Sequence, residues 1–294
     1  MKNSIYTYQW MSGEGFLFPS IFNTSKIIEG KIGHKTSEII DQINSSQGYF
    51  LFHINLTYTN YFFEDRKVLI EALLNKNLVP INANITNTTK RNIQELCKKN
   101  KINTVSAKEE GDLNELLIIK TDYNYAGISE SKLTSSEKKK LQIIDSSHPL
   151  DIYYKIMPRK NVEKGVWYDS SLVVEKFINN KQNLFYRVHK LFNHLVVTEM
   201  VDSNLIRKVP DGLPVLNYYY DLDIDYTQDK NFLRFNSIIT QIQKLSIDAE
   251  IDYAAFDVVK SDNDNYYIID INLTPYWGYT DNQTMFNFIF NALQ

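Results

Sequence analysis

Ala254-Ala-Phe-Asp-Val-Val259 and Ile268-Ile-Asp-Ile-Asn-Leu-Thr-Pro275 carry the clearest chemistry in this chain of 294 residues. Both read as strands, Tyr253 to Val259 and Tyr266 to Ile271, and Ser-Asp-Asn-Asp-Asn (261–265) between them is a polar turn of the hairpin kind. Side chains alternate along a strand, so Asp270 and Asn272 share a face. On an antiparallel partner, the turn can bring Asp257 opposite them. Three oxygen donors then converge from two strands, a set that suits a hard ion such as magnesium. A carboxylate flanked by Ile and Val is costly unless a cation or donor compensates it. The local pattern leaves two readings open, a metal site or strand ends on a solvated face.

Upstream, the chain reads as alternating strands and helices. Gly48 to Thr57 is an apolar run rich in aromatic and branched residues, hence a buried strand. Residues 64–77 place Val68, Leu69, Ala72 and Leu73 at helical spacing, and Leu78 to Asn82 is the next strand. Strand, helix and strand in that order imply a right-handed crossover and a parallel sheet. A second helix is expected over 88–100, capped by Thr88 or Thr89, with its basic end Lys98-Lys99 at the negative pole. Strands follow at Leu116 to Lys120 and Ser171 to Ile178, then at Leu184 to Val188 and His194 to Met200, close enough for antiparallel pairing. Residues 121–150, rich in Ser, Lys and Asp, read as a flexible polar stretch, and 231–248 as a helix.

Composition narrows the function classes. Hydrophobic residues are 43% of the chain and charged ones 23%, as in an ordinary globular protein. No apolar stretch reaches membrane-spanning length. The opening Met-Lys-Asn-Ser-Ile-Tyr has no apolar core of a secretory signal, so a cytoplasmic protein is expected. Cys97 is the only cysteine, which excludes internal disulfides and a multi-cysteine zinc site. A net charge of -3 argues against nucleic acid as the main partner. Lys138-Lys139-Lys140 and the acidic Asp221 to Asp225 read as solvated surface, and His148, His189 and His194 as structural residues.

The segment Ile268 to Pro275 resembles the "acidic residue, any, Asn, any, any, Pro" signature of the ATP-grasp superfamily, and Asp257 stands where that superfamily places its first metal carboxylate. The likeness continues upstream in the right order. Lys90 opens a helix as the first nucleotide lysine does, and Lys120 ends a strand where a second lysine reaches phosphate. Thr121 to Ser129, with Ala126 and Gly127, resembles the loop that covers the phosphates. Ser171 to Ile178 resembles the adenine hinge, with Glu175, Lys176, Phe177 and Ile178 around the base. Asn183 stands near the position of a ribose contact.

The resemblance implies an α/β protein of ATP-grasp fold, with a parallel N-terminal lobe (1–84), a central ATP-grasp subdomain (85–176) and a C-terminal subdomain bearing the metal site (177–294). It also implies ATP and two Mg2+ ions, with Mn2+ as a substitute, at Asp257, Asp270 and Asn272. Arg187 and Arg207 are the expected catalytic cations, since an arginine fork binds phosphate oxygens bidentately. Lys155 and Arg159 are further candidates for contact with an acidic substrate. The implied reaction joins a small-molecule or peptide carboxylate to an amine through an acylphosphate, without nucleic acid or membrane. A kinase of the same fold and a degenerate nucleotide-binding partner are the alternatives, and the oligomeric state is left open, a homodimer being one option.

The sequence also departs from the superfamily pattern. The phosphate loop has a single glycine, and Asp270 stands where glutamate is more usual. Lys181-Gln-Asn183 replaces an acidic ribose contact. Ala255 replaces the arginine of the D-alanine–D-alanine ligases, which disfavours that activity. The aromatics Tyr276, Trp277 and Tyr279 beyond the metal strand read first as core.

Overall fold

The computed structural model describes residues 4–11, 21–145, 154–202, 215–219, 230–275 and 283–294. Arg207, the acidic tract 221–225, His148, Tyr276, Trp277 and Tyr279 lie outside the described residues.

The N-terminal lobe is a parallel sheet ordered β2-β1-β3-β4, built from β1 (Ser4–Trp10), β2 (Lys26–Glu29), β3 (Gly48–Ile54) and β4 (Leu78–Ile81). Helices α1 (Thr36–Ile40) and α2 (Arg66–Asn75) belong to the same lobe. The Asp65 carboxylate starts α2 by accepting the N–H groups of Lys67 and Val68, each at 3.0 Å. Leu69 and Leu73 then bury one helical face among Tyr6, Tyr8, Phe50 and Phe52. The other face of the sheet places Ile5 and Leu51 in a second cluster, shared with the C-terminal part of the chain.

Helix α3 (Lys90–Lys99) is capped by the Thr89 hydroxyl, which accepts from Asn92 N–H at 3.4 Å. A small antiparallel sheet, β6-β5-β7, follows, formed by β5 (Leu116–Thr121), β6 (Lys155–Pro158) and β7 (Leu172–Lys176). Between β5 and β6 the chain forms α4 (Ile128–Ser131) and α5 (Ser135–Leu141), and α6 (Lys164–Tyr168) precedes β7.

The C-terminal sheet is ordered β10-β9-β8-β11-β12, all pairs antiparallel, from β8 (Leu184–Leu191), β9 (His194–Val201), β10 (Val215–Tyr219), β11 (Tyr253–Lys260) and β12 (Tyr266–Asn272). Phe235, Ile238, Ile242 and Leu245 of α7 (Lys230–Ala249) cover one face against Val188, Val197, Ala254 and Phe256. On the opposite face, α8 (Gln283–Phe290) inserts Met285, Phe286 and Ile289 beside Val196 and Tyr253.

One sequence expectation is corrected here. Much of the stretch 121–150 is not a loosely held polar segment. Thr134 and Glu137 close a reciprocal cap on α5, and Leu133, Leu141 and Ile143 are buried in the aromatic core of the N-terminal lobe. Three apolar side chains spaced between lysines and serines supply the anchorage that a composition count overlooks. Leu141→Ala should therefore cost about 2–5 kcal/mol in denaturant unfolding, as a cavity in a packed core does. An effect below ~0.5 kcal/mol would restore the loose reading.

Candidate active site

The hairpin β11–β12 and its neighbour β8 align three charges in one row. Asp257 lies directly opposite Arg187 on β8 and opposite Asp270 on β12. Past this point the register jumps, with Val258 facing Ile268, so Ile269 is the extra residue of a bulge. Both Ile269 and Asp270 consequently line the cleft beside the sheet. Asn272 is buried opposite Ala255, and its Nδ2 lies 3.5 Å from Asp257 Oδ2.

Arg187 grips Asp257 with both arms of its fork, Nε to Oδ1 at 2.7 Å and Nη2 to Oδ2 at 3.0 Å. Burial works against the guanidinium charge, but the Asp257 carboxylate outweighs it and raises the pKa. Asp270 is pushed above the usual carboxylate range, first by burial and then by the like charge of Asp257, with Lys90 and Lys120 opposing. Beside Arg187 lies His189, which burial holds neutral with a pKa near 3, in keeping with a structural role.

Two lysines reach the same cleft from other elements. Lys90 is the first residue of α3, where a cation meets the positive pole of the helix dipole. It is nonetheless buried, and its ammonium donates to Tyr123 O at 2.9 Å and lies 3.8 Å from Asp270 Oδ2. Lys120, expected from the sequence to reach phosphate, has an anionic protein partner in Glu175 at 2.7 Å, and both are buried. Ile118 and Glu175 are register partners on β5 and β7, which places this pair on the cleft side of the small sheet.

Between the two antiparallel sheets lies a cavity of about 460 Å³. Ile118, Phe177, Ile178, Phe185 and Val259 give it an apolar half, and Lys90, Lys120, Asp257 and Asp270 a charged end. Lys176 and Asn183 also line it. The N–H groups of Lys176 and Phe177 are committed to Val105 O and Leu116 O, at 2.7 and 2.9 Å. Tyr154 and Phe185 join the wall without any motif in the sequence to mark them.

Ala126 and Gly127 are not on this wall. They follow Asn124, whose Nδ2 donates to Ile271 O at 2.9 Å, and with Tyr125 they form a run of left-handed residues at φ 51°, 54° and 73°. Tyr125 and Ala126 are side-chain-bearing residues in a region that glycine favours, the kind of strain that collects at functional sites. Arg159, one of two open candidates for substrate contact, is buried against Glu115, donates to Asp112 O at 3.1 Å and lies beside Trp167, off the cavity wall. Lys155 is exposed on β6 and off the cavity wall.

Among the described residues no group of three Asp, Glu, His or Cys gathers as a metal cluster. The candidate donors are thus two carboxylates and the Asn272 amide. They fit magnesium, because carboxylate oxygens face each other from adjacent strands and the Asp270 carboxyl is pushed upward by burial and by the charge of Asp257 despite the nearby lysines.

No family model and no curated protein matches the sequence. Solved structures do match in shape. The ATP-grasp ligase PsnB, complexed with a phosphomimetic variant of its minimal precursor, Mg and ADP, has a TM-score of 0.52 at 10% identity, with 100% of each chain covered. A second PsnB complex, with minimal precursor, Mg and ADP, gives 0.50 at 11% identity, covering 100% of this chain and 99% of the other. N5-carboxyaminoimidazole synthetase from Staphylococcus aureus, complexed with ADP, gives 0.50 at 14% identity over 100% of this chain and 78% of that one. The chain has the ATP-grasp fold.

Breaking the Lys120–Glu175 pair tests whether Lys120 serves nucleotide binding or folding alone. Lys120→Met should weaken ATP at least tenfold more than adenosine, measured by calorimetric titration, while stranding a buried carboxylate at a cost of about 3–5 kcal/mol. Adding Glu175→Gln should restore stability without restoring ATP affinity. Recovery of both together would make the pair purely structural.

Proposed function

We propose that this protein is an ATP- and magnesium-dependent ligase that activates a substrate carboxylate as an acylphosphate and joins it to an amine. The observation that carries the reading is the polarity of the cavity. An apolar half suited to a flat base leads into a charged end where lysines from two elements and two facing carboxylates meet. A nucleoside triphosphate has that same division into base and anionic tail. The ATP-grasp fold supports the reading, as do the ADP complexes of its structural neighbours.

In this account the base lies between Ile118, Phe177 and Ile178. Since the Lys176 and Phe177 N–H groups are committed, we assign its recognition to the backbone at Ile178. Asn183 is the candidate ribose contact. Lys90 and Lys120 hold the phosphate tail, with their local partners Asp270 and Glu175 aiming each ammonium. Asp257, Asp270 and Asn272 would hold magnesium, which when bound offsets the charge of the phosphates. The Arg187 fork, now matched to a carboxylate, is equally matched to phosphate oxygens and stabilises the charge that develops on the transferred group. Ala126 and Gly127 lie in the strained turn beside β12, from which their backbone can meet the phosphate end. Arg207 keeps its sequence-based role as a second cation. The carboxylate is that of a small molecule or a peptide, and the complex of one neighbour with a variant of its minimal precursor is compatible with a substrate larger than a free amino acid.

An ADP-release screen over amino acids, dicarboxylates and short peptides, with magnesium, tests the reading. Phosphate release should need a carboxylate and an amine together and rise at least tenfold over either alone, with an amide as product. A stable phosphorylated product formed with no amine present would establish the kinase alternative instead.

A further inference from the structure

A second, much smaller cavity adjoins the first on the N-terminal side. It lies where three distant segments meet: Ile54 to Thr57 after β3, Ser129 and Glu130 on α4, and Asn272 to Thr274 at the end of β12. Its volume is about 10 Å³, room for one group the size of a water molecule. Threonine and serine hydroxyls and the amides of Asn55, Asn124 and Asn272 make its wall polar, and among the described residues that wall carries one charged side chain, Glu130.

Glu130 is 3% exposed. One oxygen, Oε1, accepts the Thr57 N–H at 2.9 Å. The other, Oε2, is buried and has no hydrogen-bond partner among the described residues. A buried carboxylate oxygen left unpaired is expensive, and the protein retains one on the wall of a polar cavity. Burial pushes this carboxyl above its usual range and outweighs the opposing hydrogen bonds from the Thr57 backbone, its own backbone and the Thr57 side chain, together with the more distant charge of Lys90. The occupant of such a site should be small, positively charged and rich in N–H donors. A guanidinium or a carboxylate is too large, and an anion has the wrong sign.

We infer that the Glu130 cavity is the subsite for the primary amino group of the acceptor substrate, an inference that rests on the ligase reading above. Its position suits the task. Asn272 belongs both to this wall and to the candidate metal set, and Asn124, also on the wall, lies 3.4 Å from the Lys90 ammonium. An amine held here is therefore adjacent to the phosphate end of the larger cavity. One proton passes from R–NH3+ to Oε2 and leaves R–NH2 with a free lone pair. The nitrogen then bonds the acyl carbon while the carbon–oxygen bond to phosphate breaks, and the phosphate departs with that electron pair and the second proton. The acceptor class this selects is an unhindered primary amine, such as a lysine side chain or a free amino terminus.

Methylammonium serves as the probe because the natural acceptor is unidentified. In thermal-shift titrations of the full chain at constant ionic strength, methylammonium chloride should stabilise the protein saturably, and tetramethylammonium chloride should not. Glu130→Gln, which keeps the acceptor for Thr57 N–H, should weaken methylammonium at least tenfold. Ser129→Val, which keeps the charge but fills the cavity, should do the same and covers the case in which the first variant misfolds. Equal saturable binding by both variants, a tetramethylammonium effect as large as that of methylammonium, or no saturable effect in the unmodified chain overturns the subsite. The readout uses no turnover. Methylammonium binding with a failed ligase screen would count against the ligase reading alone, and ligase activity without methylammonium binding against the subsite alone.

Discussion

Asp257 and Asp270 face each other across adjacent strands, and the surrounding architecture is organised by the need to hold those two negative charges together. At an effective dielectric near 20, two unit charges about 4 Å apart repel by ~4 kcal/mol. A fold of ordinary stability does not tolerate that repulsion without compensation. The compensation comes from three directions. Arg187 is on the neighbouring strand of the same sheet, Lys90 at the head of α3, and Lys120 on a separate sheet. Loss of register in any one of these elements would expose the repulsion, so the charge row links the lobes electrostatically.

Packing supplies the rigidity this requires. The far face of the C-terminal sheet is sealed by α7 and α3, with Phe256 and Val188 alternating with Asp257 and Arg187 along the same strands. The two-residue period of a strand thus places apolar anchors directly behind the polar row. The near face is covered at one end by α8 and the N-terminal sheet, and the cavity begins where that cover stops. The bulge at Ile269 adds a local adjustment, presenting Asp270 and its neighbour to the same cleft. Stability and site are therefore built from alternate residues of the same segments.

This division also explains what could be read from the sequence. The hairpin was legible because its carboxylates interrupt otherwise apolar strands, and Asp257 and Asp270 indeed pair in register. Helix α3 was legible from its cap and its buried Ile93 and Cys97. Strand β1 was not, because Ser4-Ile-Tyr-Thr-Tyr-Gln-Trp mixes polar and aromatic residues whose pairing partners, β2 and β3, are remote in sequence. Residues 128–143 misled in the opposite sense, since Leu133, Leu141 and Ile143 decide their packing while serines and lysines together dominate their count. Lys120 was placed correctly at a strand end, but its partner Glu175 is set by the register of β5 with β7, which no local pattern records. Glu130 left no trace at all, because a lone glutamate among serines reads as surface.

The central claim is that Asp257 and Asp270 form a nucleotide-dependent metal site, and electron paramagnetic resonance of Mn2+ tests it directly. Free Mn2+ gives a sharp six-line spectrum that broadens when the ion is immobilised. With ADP and the intact chain, the account predicts loss of the free signal at Mn2+ concentrations at least tenfold lower than in the Asp257→Asn, Asp270→Asn double variant. An unchanged Mn2+ titration in that variant would contradict it.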